Sequence, residues 1–142
     1  MTSPGIDLTP LRNALALLRE ASEFWVAQSE ASPLKRHLRS AVIQSFEFTY
    51  DLSIRMLRRV LIERSPAADS VVDLSFNDLL RKGADAGLLI DPAAWRAWRE
   101  MRNATSHAYD EIKAQAVALG ATRFMVDAAA LLAALEMSVD DE

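Results

Sequence analysis

Arg102 and His107, with Asn103, Ser106 and Tyr109 between and beside them, form the one segment whose residue types suit chemistry at a phosphate. Histidine moves protons near neutral pH, and a guanidinium grips phosphate with two parallel hydrogen bonds. RNA transesterification needs a base for the 2′-hydroxyl, an acid for the leaving oxygen and a cation for the charge that builds on phosphorus. The chain has two histidines. His37 sits among Lys35, Arg36 and Arg39 and reads as part of a solvated charged turn. That leaves His107 alone, one too few for separate acid and base roles. A twofold dimer that joins two copies of the segment would supply both. The scheme requires no metal, and no His/Asp/Glu cluster has ligand spacing. The chain has no cysteine, which excludes disulfides, thiolate metal sites and thiol nucleophiles. Neither a metal nor a cofactor is expected.

The spacing sets a condition. Five residues of continuous helix rotate by ~500°, so the side chains of Arg102 and His107 would diverge by ~140°. They converge only if the helix ends or bends between them. Asn103, Thr105 and Ser106 are poor helix formers and permit that. Spacing alone leaves open a plain surface Arg with a capping or core His, and a packed Tyr109 ring with an exposed hydroxyl. Trp95 and Trp98 read as core rather than as a base-stacking platform. Trp95, Arg99 and Arg102 recur at helical spacing, which puts a cationic face beside the segment. Arg55, Arg58, Arg59 and Arg64 fit a solvated face better than an RNA or partner surface.

The elements that position these residues are helical. Ala, Leu, Glu and Arg dominate, and no alternating β pattern occurs. A first helix is predicted from Thr9-Pro10, with Thr9 as cap and Leu8, Leu11, Leu15, Leu18 and Trp25 as its apolar stripe. Ser29 to Ser32 reads as a turn. The second helix starts with Ser32 as cap before Pro33 and runs toward Arg64. It has two apolar stripes: Leu38, Val42, Phe48, Leu52, Met56 and Val60; and Ile43, Phe46, Tyr50, Ile54, Leu57 and Leu61. Such a helix is either central in its bundle or shared with a partner subunit. Ser65 to Ser70 reads as a loop. A short helix follows from Ser75 to Ala86 and ends at Gly87. Asp91-Pro92 opens a fourth principal segment, which carries Trp95, Trp98, Met101 and the Arg102 motif. Gly120 is expected to break the chain, with a last helix from Ala121 to Met137 that turns Phe124, Ala128, Leu131, Leu132 and Leu135 inward. The expected fold is all-α: an antiparallel four-helix up-and-down bundle with one additional short helix. A length of 142 residues fits one domain over 1–142, with a core over about 8–137 and an acidic tail over 138–142.

Bulk properties narrow the setting. Hydrophobic residues make up 51% of the chain, enough for an ordinary core. Residues 1–10 show no signal-peptide pattern, and no run approaches the ~20 uninterrupted apolar residues of a membrane span. A cytoplasmic, membrane-free protein is the expectation. The net charge of −4 gives no general attraction to nucleic acid. An RNA contact therefore needs a local basic surface, for which Arg55, Arg58, Arg59, Arg96 and Arg99 are the candidates.

The pattern Arg102-x4-His107-x-Tyr109 resembles the Arg-x4-His-x-Tyr signature of HEPN toxins. Residues 44–52, with Phe46, Glu47, Phe48, Thr49, Tyr50, Asp51 and Leu52, resemble the Phe-Glu-Phe-Thr-Phe/Tyr-Glu-Leu segment of the nucleotidyltransferase substrate-binding (HepT-like) branch. Residues 76–81, 87–92, Trp95 and 101–111 continue the similarity, which covers roughly 10 to 137. Ile54 and Arg55 depart from it, standing where members often carry Trp and Lys. The resemblance implies a helical homodimer with a partner, a minimal nucleotidyltransferase; some such pairs are toxin–antitoxin systems. It implies a metal-independent endoribonuclease with a composite site between subunits. In that site Arg102 would bind phosphate, His107 would do acid–base work, and Asn103, Arg99 and Ser106 would contact substrate. Tyr109 would be the residue the partner modifies with nucleotide. The alternative that the resemblance carries is a non-catalytic nucleotide- or substrate-binding subunit of the transferase complex.

Overall fold

The computed structural model describes residues 5–65 and 68–140. Six α-helices follow in order: α1 Thr9–Ala27, α2 Leu34–Arg64, α3 Ala68–Val72, α4 Phe76–Asp85, α5 Pro92–Ala104 and α6 Glu111–Asp140. A 3₁₀ turn, Thr105–His107, lies between α5 and α6. Among the described residues there is no strand. The all-α bundle expected from the apolar patterning is the observed one.

Side-chain spacing explains the arrangement. In α1, Leu11, Leu15, Leu18 and Trp25 form one buried stripe. Asp7 rather than Thr9 serves its N-terminus, its carboxylate accepting from the Thr9 N–H at 3.0 Å. The two-sided α2 is central: it packs on α1 and α6 and also meets α3, α4 and α5. Two of its buried hydroxyls are satisfied within the helix, Thr49 donating to the Ser45 carbonyl at 2.8 Å and Ser53 to the Thr49 carbonyl at 2.7 Å. Phe48 is not on an inward stripe; it is 51% exposed, on the outer face shared with Gln44, Asp51 and Arg55. Ser32 does serve the start of α2, its Oγ accepting from the Leu34 N–H. The segment read as a loop over Ser65 to Ser70 contains the start of α3, while Pro66 lies outside the described residues. Arg58 donates to the carbonyls of Val71, Val72 and Leu74, so it closes the end of α3 rather than joining a free cationic face.

The starts of the shorter helices are capped. Ser75 accepts from the Asp78 N–H, and Asp91 accepts from the N–H groups of Ala93 and Ala94. Gly87 has φ +76°, the left-handed conformation that ends a helix at low cost for glycine. Gly120 does not break the chain. Helix α6 runs through it, because α5 crosses there: a Cβ at this position would lie 2.5 Å from Met101 Sδ. The glycine is a point of close helix approach. The same helix carries residues 138–140 into the bundle's last turn, whereas 141–142 of the acidic tail lie outside the described residues.

Continuity through Gly120 also gives α6 a length hidden when the segment is divided there. By length and composition Glu111–Val139 is long and apolar enough to cross a membrane, with a mean hydropathy of 1.6 in its best 18-residue window. Within the fold 44% of that window is buried, and Phe124, Leu131 and Leu135 are among the most deeply buried side chains. Phe124 is the hub. Its ring meets Phe46 at 4.9 Å and Trp95 and Trp98 at 5.7 Å, all edge-on, the arrangement the ring quadrupoles favour. Trp95 is core, and Trp98 keeps its N–H satisfied by Asp127 at 2.8 Å. These contacts fix α5 on α2 and α6, and hence fix the start of the Arg102 segment.

Candidate functional site

α5 stops at Ala104, and Thr105, Ser106 and His107 form a 3₁₀ turn. The side chains of the poor helix formers turn back on the backbone: Thr105 donates to the Arg102 carbonyl at 2.7 Å and Ser106 to the Asn103 carbonyl at 3.0 Å. Asp110 then caps α6, accepting from the N–H groups of Ile112 and Lys113. Arg102 and His107 therefore sit on opposite sides of a helix terminus rather than on one continuous helix.

Arg102 is fully engaged. Asp51 receives its Nε and Nη2 at 3.0 and 3.2 Å, and Nη1 reaches Thr105 Oγ1 at 3.1 Å and Glu47 at 3.4 Å. The Asp51 carboxylate holds the guanidinium above its ordinary range, ahead of the opposing effect of burial. Arg102 is thus a permanent cation held by two carboxylates, one turn apart on α2. Arg99, one turn earlier on α5, lies over the Phe76 ring at 4.5 Å to its centroid. Tyr50 is buried between these charges. Burial raises its hydroxyl to about 12, against the opposing field of Arg99, so it stays neutral.

His107 and Tyr109 form a second cluster. His107 Nδ1 lies 3.4 Å from the Tyr109 hydroxyl and the rings are edge-on. Tyr109 is 83% exposed, and His107, Asn103 and Ser106 are also exposed. The expected residues therefore fall into two groups: a tethered cation, and an exposed imidazole–phenol pair. Glu47, Asp51 and Thr105 join the site although their roles are not apparent from motif spacing. Among the described residues no group of three or more His, Asp or Glu side chains could hold a metal ion.

Comparison with known proteins bears on family and fold. The profile of the family described as "Nucleotidyltransferase substrate binding protein like" matches residues 6–137. A Haemophilus influenzae protein named "Probable ribonuclease HepT" is 40% identical over 93 residues, 66% of this chain and 64% of that protein. The match thus spans just under two thirds of that relative's length. A solved Haemophilus influenzae structure, described as the fold of a substrate binding domain of a nucleotidyltransferase, superposes with a TM-score of 0.82 at 32% identity. That alignment covers 92% of this chain and 99% of the other. With its profile matched from residue 6 to residue 137, this chain belongs to the nucleotidyltransferase substrate-binding protein-like family.

Proposed function

We propose that this protein is the HEPN subunit of a nucleotidyltransferase–HEPN toxin–antitoxin pair, a metal-independent endoribonuclease whose site is built by two chains. The observation that carries the reading is the helix terminus between Arg102 and His107. It places the two residues on different elements and leaves the imidazole exposed. The name of the 40%-identical relative, a probable ribonuclease, points the same way. One His107 per subunit takes the 2′-hydroxyl proton as the 2′-oxygen bonds to phosphorus. Its twin protonates the 5′-oxygen as the P–O5′ bond breaks, leaving a 2′,3′-cyclic phosphate. Arg102 stabilises the charge on the phosphorane, and Asn103, Ser106 and Arg99 contact the flanking nucleotides. The outer face of α2 supports a dimer there, since exposed Phe48 lies one turn from Asp51, a partner of Arg102. Tyr109 is the modification target. A nucleotide attached to its hydroxyl, 3.4 Å from His107 Nδ1, would crowd the imidazole and silence it. The partner is a minimal nucleotidyltransferase, and the setting is the cytoplasm.

A second reading has its own support: a non-catalytic subunit that binds nucleotide or substrate for the transferase. Arg102 is already neutralised by Glu47 and Asp51, which leaves little free charge for a phosphorane. The experiment is incubation of the purified dimer with RNA in EDTA beside His107→Ala. Cleavage by the wild type alone is the expected result. No cleavage by either, with nucleotide binding retained, refutes the nuclease and leaves the binding subunit.

A further inference from the structure

A concavity outside the Arg102 segment lies where the end of α1 meets the first turns of α2 and α6. Its volume is about 460 Å³, within the range of ~300–1,000 Å³ typical of small-molecule sites. Its wall holds Lys35, Arg36 and Arg39, and its rim holds Glu30 and Glu111. In a chain of net charge −4, this pocket has one more cation than anion.

The cations and the carboxylates are not held alike. Lys35 is 14% and Arg39 12% exposed, against 86% for Glu30 and 71% for Glu111. Lys35 Nζ is fixed by donation to the Trp25 carbonyl and by its place 4.9 Å from the Trp25 ring centroid; Glu30 approaches it only to 3.6 Å. Arg39 makes a two-pronged contact with Glu111, at 2.8 and 2.9 Å, and a longer one to Gln115 Oε1 at 3.4 Å. Its Nε is buried and has no hydrogen-bond partner. Arg36 has no ion pair among the described residues, although its field helps to lower the Glu111 carboxyl. A clamp between α2 and α6 accounts for the Arg39–Glu111 pair. It leaves unexplained the orphan Nε, a donor normally satisfied when buried, the unpaired Arg36 and the concavity itself.

The geometry points to a binding site for a phosphate group, the monoester or polyphosphate end of a nucleotide, seated on Arg36, Lys35 and Arg39 with Glu111 displaced. A single carboxylate occupies one edge of one guanidinium, as Glu111 does now. A phosphate brings more acceptor oxygens and more charge, enough to engage the two held cations, Lys35 and Arg39, together with the exposed Arg36. The remaining volume accommodates a nucleoside. Glu111 follows Tyr109 by two residues, so filling the pocket releases the first turn of α6 beside the motif. Two sources share this chemistry, a free nucleotide and the 5′-phosphorylated end of an RNA.

The test is calorimetric titration of the intact protein with pyrophosphate, ATP, and a short RNA with and without a 5′-phosphate. Binding of any phosphate-terminated probe is expected to weaken roughly tenfold in Arg36→Ala, the worth of one charge-assisted contact, with unchanged thermal stability. Glu111→Gln, which removes the competing anion, is expected to tighten it, and Arg102→Ala to leave the binding of pyrophosphate and ATP unchanged. ATP binding identifies the free nucleotide as the source; binding only of the 5′-phosphorylated RNA identifies the RNA end. Absence of binding by every probe at millimolar concentration overturns the site. So does binding that ignores Arg36→Ala and disappears in Arg102→Ala.

Discussion

Asp51→Asn is the perturbation that asks most directly what the carboxylates around Arg102 do. Asp51 takes two guanidinium hydrogen bonds, at 3.0 and 3.2 Å. The pair is partly solvated, with side-chain exposures of 31% for Arg102 and 45% for Asp51, so solvent screening limits its strength to about 1 kcal/mol or less. A phosphate that recruits Arg102 must give up this contact. Removing it is therefore expected to raise RNA affinity by up to roughly fivefold, since 1.4 kcal/mol is a factor of ten. Glu47 at 3.4 Å remains, so the single variant realises part of the release. Glu47→Gln with Asp51→Asn is expected to exceed the sum of the single effects, because both act on one guanidinium. The assay is binding of a non-cleavable RNA, its 2′-hydroxyl at the cut position replaced by hydrogen, with circular dichroism to check the fold. Affinity that falls in a folded Asp51→Asn protein would refute the restraint argument. It would mean that Asp51 orients Arg102 for the substrate.

Other outcomes follow from the same contacts. Phe124→Ala removes the ring that joins Phe46, Trp95 and Trp98 and should cost about 3–5 kcal/mol in denaturant unfolding; a cost below about 1 kcal/mol would deny it the hub role. Gly87→Ala meets no atom within 4 Å, yet φ is +76°, so a purely conformational loss of about 1–2 kcal/mol is expected in thermal unfolding. The hydrogen bond from Arg39 lowers the Glu111 carboxyl below its ordinary 4.5. Its contribution to stability is thus fully present above about pH 4.5 and is lost as pH falls through the lowered value. Glu111→Gln should flatten that part of the acid-unfolding profile, and an unchanged profile would deny the clamp. Tyr109→Phe should leave the melting temperature unchanged while abolishing nucleotide transfer from the partner enzyme, read by mass spectrometry.

The fold is legible in the sequence wherever one rule acts alone. The stripe of α1, the Asp91-Pro92 start and the Gly87 terminator each rest on local physics and stand in the structure. The differences arise where a distant element decides. Gly120 carries the residue type of a helix break, but its small size serves the approach of Met101 from α5, a contact that local propensity does not encode. Phe48 has the composition of a core residue, yet its register places it outside. In the proposed dimer, this ring lies on the face that the second chain would cover.

The site divides along the same line. The break between Arg102 and His107 is written in three closely spaced poor helix formers, Asn103, Thr105 and Ser106. The capture of Arg102 is different. On α2 the local partner for Asp51 is Arg55, four residues on, in a position where helix geometry allows an ion pair. The structure instead joins Asp51 to Arg102, 51 residues away, because Trp95 and Phe124 fix α5 against α2 at that height. The packing core thereby sets the electrostatics of the site: the aromatic cluster that stabilises the bundle also determines which cation the two α2 carboxylates hold. A core substitution that shifts α5 by a turn's fraction should then change RNA binding before it unfolds the protein. Trp98→Phe, which keeps a ring but loses the 2.8 Å bond to Asp127, is the mildest such probe. Raised RNA affinity at unchanged helical content is the expected result, since a shifted α5 loosens the hold of Asp51 and Glu47 on Arg102, and unaltered affinity would separate the core from the site.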